Sequence, residues 1–128
     1  MSKGFQIEIM GKTIKAEYLT DKAPEICKAM EEASPFDGQA LHAKFAGQEI
    51  IVMVPFYADP ENEILNVVPG DIGYYPGRQT ICIFYGKTKP FGKVSVFAKV
   101  TEGLDDLMEV GNAILEKGIL TLKEDSLK

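Results

Sequence analysis

Side chains that commonly carry enzyme chemistry are scarce in this chain. Its 14 basic residues include a single arginine, Arg78, and its only histidine is His42. No second His or Cys stands at metal-ligand spacing from His42, and one histidine does not assemble a convincing Ser-His-Asp set. We expect His42 to be structural, packed or half-exposed, and we expect neither a metal nor a cofactor.

Arg78 follows a Pro-Gly turn signal, beside Tyr74 and Tyr75. A guanidinium in such a turn can donate hydrogen bonds to an anion or a carbonyl, and it can stack on a tyrosine ring. The alternative is a solvent-facing turn residue or a structural salt bridge.

Most of the aromatic residues after position 50 fall into three adjacent pairs. They are Phe56 and Tyr57, Tyr74 and Tyr75, and Phe84 and Tyr85. Tyrosine combines apolar area with a polar tip, which suits a ligand pocket, although core packing explains such residues equally well. Because neighbours along a strand point to opposite faces, at most one residue of each pair can line a given cavity.

Two further motifs resemble binding sites only in part. Asp59, Glu61 and Glu63 form an acidic stretch, but calcium binding needs a tighter ligand pattern and a turn glycine, so we expect a solvated loop. Gly86-Lys87-Thr88 resembles the end of a phosphate-binding loop but lacks its first glycine and the helix that follows.

Alternating apolar and polar residues predict the elements that must position these side chains. A hairpin is predicted from Phe5, Ile7 and Ile9 followed by Ile14, Ala16 and Tyr18. Further strand patterns follow at 39–54, 72–75, 80–85, 94–100 and 119–122, with a long connection over 55–69. The total of about eight regularly spaced strands predicts a mainly β protein closed into a barrel, because closure removes exposed sheet edges.

One amphipathic helix is predicted to begin near Pro24 and to stop at Ser34-Pro35. Thr20 or Asp21 is expected to cap it, since both residue types are favoured at helix starts. The stretch 102–108 is expected to form a short helix or a 3₁₀ turn.

Length and composition limit the possible classes of protein. A chain of 128 residues with 45% hydrophobic and 26% charged residues is typical of one globular domain, here 1–128. A net charge of −5 argues against nucleic acid or anionic lipid as partners, and no apolar run is long enough to span a membrane. Cys27 and Cys82 are expected to be reduced and buried, and no signal peptide is visible, so we expect a cytoplasmic location.

Three stretches resemble the cyclophilins, the barrel-shaped peptidyl-prolyl isomerases. The run 20–24 is similar to the Ala-Asp-Lys-x-Pro that opens the family's first helix, and 77–83 resembles its Gly-Ser-Gln-Phe-Phe-Ile strand. The run 96–105 is similar to Val-Phe-Gly-Lys-Val-x-Glu-Gly-Met-Asp, and the two patterns align without a gap over 79–110. The resemblance implies a closed eight-stranded cyclophilin-like barrel with a helix over each end.

The same resemblance argues against the usual isomerase site. Prolyl isomerases lower a rotation barrier of about 18–20 kcal/mol with a donor, usually arginine, aimed at the peptide. Ala43 stands at the position of that arginine, and Lys89 and Val94 stand where the family carries a Trp and a His. Gln79 is retained, and Ile81 replaces a pocket Phe. In this respect the chain looks closer to divergent bacterial and archaeal cyclophilin-like proteins of unestablished function.

Our leading hypothesis is a protein that binds a small ligand or peptide at one barrel mouth, without efficient isomerase activity. The residues proposed for the site are Phe56, Tyr74, Arg78, Gln79 and Tyr85. The alternative is a weak or divergent prolyl isomerase in which Arg78 is the donor beside Gln79. A third interpretation is an oligomer-forming scaffold with exposed tyrosines at its interface. Whether the chain is an enzyme, and its oligomeric state, stay open at this point.

Overall fold

The structure is a computed structural model, and it describes residues 4–42, 47–76, 79–88, 93–114 and 119–125. Within these ranges the chain is mostly β. The strands are β1 (Gly4–Ile9), β2 (Lys12–Tyr18), β3 (Phe36–His42), β4 (Gly47–Met53), β5 (Glu63–Ile64), β6 (Asp71–Tyr75), β7 (Thr80–Thr88), β8 (Val94–Glu102) and β9 (Ile119–Asp125). The helices are α1 (Pro24–Ala33) and α2 (Leu104–Ile114). Neither described helix has the length and apolar character needed to cross a membrane.

All the strand pairs are antiparallel and belong to one curled sheet. The order is β2-β1-β9-β3-β4-β7-β6-β8-β5, and β2 also pairs with β8. In that additional pairing Ala16 lies opposite Val100 and Tyr18 lies opposite Ala98. The sheet therefore curls far enough for β2, at one edge, to pair with β8 near the other edge.

Alternating side chains of the first hairpin fill the main core, as the sequence pattern predicts. Phe5, Ile7, Ile9 and Ile14 are buried, while Gln6, Glu8 and Thr13, which alternate with them, are exposed or partly exposed. Burial of each such side chain is worth roughly 1.5–3 kcal/mol, which is enough to set the register of the hairpin. The opposite face of β6, β7 and β8 carries a smaller apolar cluster of Cys82, Phe84, Val94 and Val96. Cys27 and Cys82 are both buried and neither forms a disulfide, as expected.

Helix α1 begins at Pro24, as predicted, but its expected cap is wrong. Ala23 is the N-cap and has no side-chain cap. The backbone N–H groups of Lys22 and Ala23 both donate to the carbonyl oxygen of Leu19. This turn places Thr20 and Asp21 ahead of the helix, too early in the chain to occupy the cap position.

The carboxylate of Glu61 takes over that capping role. It accepts hydrogen bonds from the backbone N–H of Ile26 at 2.8 Å and of Glu25 at 3.3 Å. The first turn of a helix leaves such N–H groups without partners and favours negative charge, so the acidic loop is docked on α1. The expectation that this loop is merely solvated is wrong for Glu61.

A short helix or turn was expected over 102–108, but α2 continues six residues further, to Ile114. The extension is supported by a second buried apolar residue, Val110. Leu107 and Val110 are both buried at i, i+3 spacing. Gly103, at φ +92°, precedes the helix and lies so close to Ile14 and to the carbonyl of Thr13 that a Cβ there would be crowded.

The two helices therefore lie toward opposite ends of β2. Helix α2 follows Gly103, which lies against Ile14 in the first half of β2. Helix α1 packs near Tyr18 at the other end of β2, and there the Cys27 thiol donates to the carbonyl oxygen of Phe97 at 3.2 Å. We call these the α2 end and the α1 end of the sheet.

Candidate functional site

Three of the five residues predicted for the site come together at the α1 end. Tyr74, near the end of β6, is fully buried, and its ring stacks on that of Phe56 with centroids 5.1 Å apart and planes inclined by 16°. Gln79 precedes β7, and its side-chain amide reaches the main chain at Phe56. Aromatic area and a polar amide thus lie side by side, as a small ligand site requires.

One backbone oxygen joins these three residues. The carbonyl of Phe56 accepts a hydrogen bond from the Tyr74 hydroxyl at 3.0 Å and another from Gln79 Nε2 at 3.1 Å. The Tyr74 hydroxyl in turn accepts from the backbone N–H of Ala58 at 3.1 Å. A tyrosine hydroxyl can donate one hydrogen bond and accept others, so this geometry uses both capacities.

The backbone around Gln79 explains how its side chain reaches the site. Gln79 has φ +49°, its N–H donates to the carbonyl of Pro76 at 3.3 Å, and its carbonyl accepts from the N–H of Val54 at 2.9 Å. The left-handed conformation is uncommon for a residue with a side chain and is held here by the turn on one side and Val54 on the other. Arg78 lies outside the described residues.

Tyr85 is not brought to this site. Its ring is buried at the α2 end, in contact range of Gly111 of α2, where a Cβ on that glycine would collide with it. Tyr85 lies four residues along β7 from Ile81, the partner of Tyr74 across the β6–β7 pair. Four strand residues span about 13 Å, so a shared face does not bring the two tyrosines to one end.

The other positions singled out from the sequence are distributed as follows. Ile81 is fully buried in the main core, and Val94 is fully buried in the smaller cluster. His42 is the last residue of β3, and Ala43 and Lys89 lie outside the described residues. The isomerase positions that the structure does describe are therefore occupied by buried aliphatic side chains or, at Gln79, by an amide.

Burial sets the protonation of the buried hydroxyl and thiol groups. It raises the pKa of Tyr74, although the hydrogen bond from Ala58 opposes that shift, and it raises the pKa of Tyr85 as well. Burial, reinforced by the charge of Glu61, raises the pKa of Cys27 to about 12. Cys27 is thus a neutral thiol at physiological pH and lacks the thiolate that a nucleophile needs.

Two grooves flank α1 near this site. One has a volume of about 400 Å³ and lies between the helix and the loop that carries Tyr57, Ala58 and Asp59. The other, of about 770 Å³, lies between the helix and the chain after β2. Within the described ranges no group of three or more His, Cys, Asp or Glu side chains could hold a metal ion.

Residues of the long connection that sequence reasoning missed hold this region in place. The backbone N–H of Glu61 donates to the Ser95 hydroxyl at 3.1 Å, and Asn62 Nδ2 donates to the carbonyl of Val96 at 2.9 Å. Glu61 and Ile26, which it caps, are 35 positions apart. No local spacing links residues so distant, so the sequence carries no signal for these contacts.

Comparison with solved structures identifies the fold. The chain superposes on McbB, solved in complex with tryptophan, with a TM-score of 0.85 at 15% identity. That match covers 97% of this chain but 46% of McbB, so the chain spans about half the length of that protein. The hypothetical protein AF2241 of Archaeoglobus fulgidus matches with a TM-score of 0.74 at 21% identity, over 97% of this chain and 95% of that one.

A cyclophilin-type peptidyl-prolyl cis-trans isomerase of Cryptosporidium parvum, solved in the presence of the dipeptide Ala-Pro, matches with a TM-score of 0.75 at 15% identity. The match covers 97% of this chain and 99% of that one. Comparison with curated protein sequences finds no match.

These neighbours confirm the resemblance to cyclophilins at the level of the fold. Their low identities carry no activity over to this chain. The model of one sequence family, described as "Protein of unknown function (DUF3830)", matches residues 5–124, which is nearly the whole chain. The chain therefore belongs to the DUF3830 family, a divergent family with the cyclophilin-like fold.

Proposed function

We propose that this protein binds a small ligand or peptide at the α1 end of its sheet and does not isomerise prolyl bonds efficiently. The site is formed by Phe56, Tyr74 and Gln79, together with Arg78, which precedes Gln79 in the sequence. The observation that carries the proposal is the stacked Phe56–Tyr74 pair beside the Gln79 amide. Tyr85, which lies at the other end, is left out of the site.

The absence of efficient isomerase activity follows from the chemistry that rotation needs. A prolyl isomerase must aim a strong donor at the rotating peptide. Alignment with cyclophilins puts Ala43 at the position of the catalytic arginine. The retained amide, Gln79, already donates to the carbonyl of Phe56 in its own chain.

Two structural neighbours support a small-molecule partner, since McbB was solved with tryptophan and the Cryptosporidium isomerase in the presence of Ala-Pro. The proposal includes a single domain over 1–128 whose curled sheet is a closed eight-stranded barrel, and the β2–β8 pairing supports that closure. It also includes a cytoplasmic location, which is supported by two cysteines that form no disulfide.

Titration of the isotope-labelled protein with tryptophan and with Ala-Pro tests the binding site. We expect chemical-shift changes at 54–58, Tyr74 and Gln79, and affinity about fivefold lower in Gln79→Ala, as loss of one hydrogen bond of about 1 kcal/mol implies. Asn66→Ala, in an exposed part of the long connection, is the matched control and should bind like the wild type. Shift changes confined to other surfaces would overturn the site.

A protease-coupled assay with a prolyl peptide tests the second half of the proposal. We expect rates at the uncatalysed background. Turnover at ordinary cyclophilin rates would contradict this, and turnover that disappears in Arg78→Ala would instead establish the alternative, a divergent isomerase with Arg78 as its donor.

A further inference from the structure

We propose that the segment Pro55–Ala58 is a built-in occupant of the site, and that the ligand displacing it presents a carbonyl oxygen next to an aromatic ring. An N-acylated aromatic amino acid or a short peptide has this chemistry. The inference rests on the proposed function and adds what occupies the site without a ligand and which class of ligand fits it.

The hydrogen bonds of the segment are those that a bound peptide would make. Two side chains on the sheet, Tyr74 and Gln79, direct their donors at the single carbonyl oxygen of Phe56. A carbonyl oxygen has two lone pairs, so these two donors saturate it. The main polar recognition groups of the site are thus engaged with the protein's own backbone.

The side chains of the segment follow the pattern of an extended peptide with one anchor. Phe56 is partly buried and stacks on Tyr74, whereas Pro55 before it and Tyr57 after it are exposed. Tyr57 is 62% exposed. Of the side chains of the segment from Pro55 to Tyr57, that of Phe56 is the one in contact with Tyr74.

The chain on both sides of Phe56 is held in place, but the contacts of Phe56 itself can be exchanged for contacts with a ligand. The backbone N–H of Val54 donates to the Gln79 carbonyl and that of Glu61 donates to the Ser95 hydroxyl, so the chain stays attached on both sides of the segment when Pro55–Ala58 moves. The hydrogen bonds at Phe56 are of the kind that contribute only about 1 kcal/mol net, because a competing acceptor replaces them. A ligand carbonyl can therefore take the place of the Phe56 carbonyl.

Competition of this kind lowers the affinity that is measured. When only a fraction of molecules has a vacant site, the apparent dissociation constant rises by the inverse of that fraction. Removing the internal ring therefore increases affinity for a ligand that supplies its own ring. A binding residue that merely contacts the ligand has the opposite effect when truncated.

The test uses acetyl-prolyl-tryptophanamide as the probe and follows its fluorescence, since the protein contains no tryptophan. We expect Phe56→Ala to bind this probe about tenfold more tightly than the wild type, because the vacant fraction rises. Tyr57→Ala, which truncates the exposed neighbouring ring, is the matched control and should bind like the wild type. Acetyl-prolyl-alaninamide, which has no ring, should bind both proteins more weakly than the probe does but gain by the same factor in Phe56→Ala, because the vacant fraction is a property of the free protein.

A measurement on the wild type keeps the test independent of how well Phe56→Ala folds. Displacement of the segment breaks the hydrogen bond from Ala58 to Tyr74, so saturating probe should accelerate hydrogen exchange of the Ala58 amide. Equal affinity of Phe56→Ala and the wild type, with no change in that exchange, would overturn the built-in occupant and leave the proposed binding site standing. No binding of the probe to either protein would overturn both.

Discussion

The two ends of the curled sheet are built in different ways. At the α1 end, hydrogen bonds connect a long loop to the sheet and helix, through Tyr74, Gln79 and Glu61. At the α2 end, the ring of Tyr85 fills the space over Gly111 so closely that no side chain fits there.

This difference bears on where binding can occur. A hydrogen bond within the protein can be exchanged for one to a ligand at little net cost, whereas a packed ring can leave its place only by opening a cavity. The α1 end is therefore adaptable and the α2 end is structural, although each contains a buried tyrosine. Variants at the two ends should consequently differ in their effects on stability and on binding.

The largest expected effect is at the α2 end. Gly111→Ala should lower the free energy of unfolding by roughly 3 kcal/mol, because the added methyl group overpacks the space occupied by the Tyr85 ring. Urea unfolding measures this loss, and binding of the fluorescent probe by the folded fraction should be unchanged. In Gly111→Ala/Tyr85→Leu the loss should be smaller than the sum of the two single variants, as expected for residues in contact. Additive losses would show that the ring and the glycine do not constrain each other.

At the α1 end, Tyr74→Phe removes the hydroxyl that joins Phe56 and Ala58. The buried N–H of Ala58 then loses its partner, which should cost about 2 kcal/mol in urea unfolding. Unlike the glycine variant, Tyr74→Phe should also change the affinity for the probe. Tyr57→Phe removes an exposed hydroxyl from the same loop and should leave both quantities unchanged. Equal effects of the two tyrosine variants would remove the distinction between the ends.

Glu61→Ala tests whether the loop is held by the helix as well as by the sheet. Loss of a capping side chain costs about 1 kcal/mol, and that is the expected decrease in the free energy of unfolding. Glu63→Ala, in the exposed part of β5, is the control. A decrease of the same size in both variants would point to general charge effects in the loop and against a specific cap.

The smallest effect concerns a carboxyl group on the other face of the sheet. Glu49 of β4 is buried opposite Phe84, and burial raises the pKa of its carboxyl above the ordinary value of 4.5. The folded protein therefore holds this proton more tightly than the unfolded chain. The stability it contributes is complete below pH 4.5 and is lost as pH rises through the folded value.

Urea unfolding between pH 4 and pH 8 measures this dependence, and Glu49→Gln should remove that component of it. A pH dependence unchanged by Glu49→Gln would assign it to groups elsewhere, including those at the two ends.

Much of the fold could be predicted from local patterns. Period-two alternation identified the strands around Phe5 and Ile14, and Pro24 marked the start of α1, because a strand face and a helix start are decided by residues close together in sequence. Strand β5 was not predicted because alternation of apolar and polar residues cannot be recognised over only two residues. The length of α2 was underestimated because two buried apolar positions, Leu107 and Val110, are too few to define a helical period.

The spatial grouping of the proposed site residues was predicted only in part, for a physical reason. The structure does bring together Phe56, Tyr74 and Gln79. Alternation, however, predicts the face of the sheet on which a side chain lies and not its position along the strand. Tyr85 shares a face with the partner of Tyr74 and still lies at the opposite end. The role of Glu61 depends on contacts across 35 positions, which no local pattern records.

The position of β9 has a consequence for synthesis of the chain. This strand, Ile119–Asp125, lies between β1 and β3, with Ile7 opposite Leu122 on one side and Phe36 opposite the same Leu122 on the other. While the ribosome is still making the segments before it, two of the earliest strands present unpaired backbone edges to each other and to other chains. Completion of the sheet therefore waits for residues made more than a hundred peptide bonds after β1 began, so this topology leaves both edges unpaired until β9 has been made.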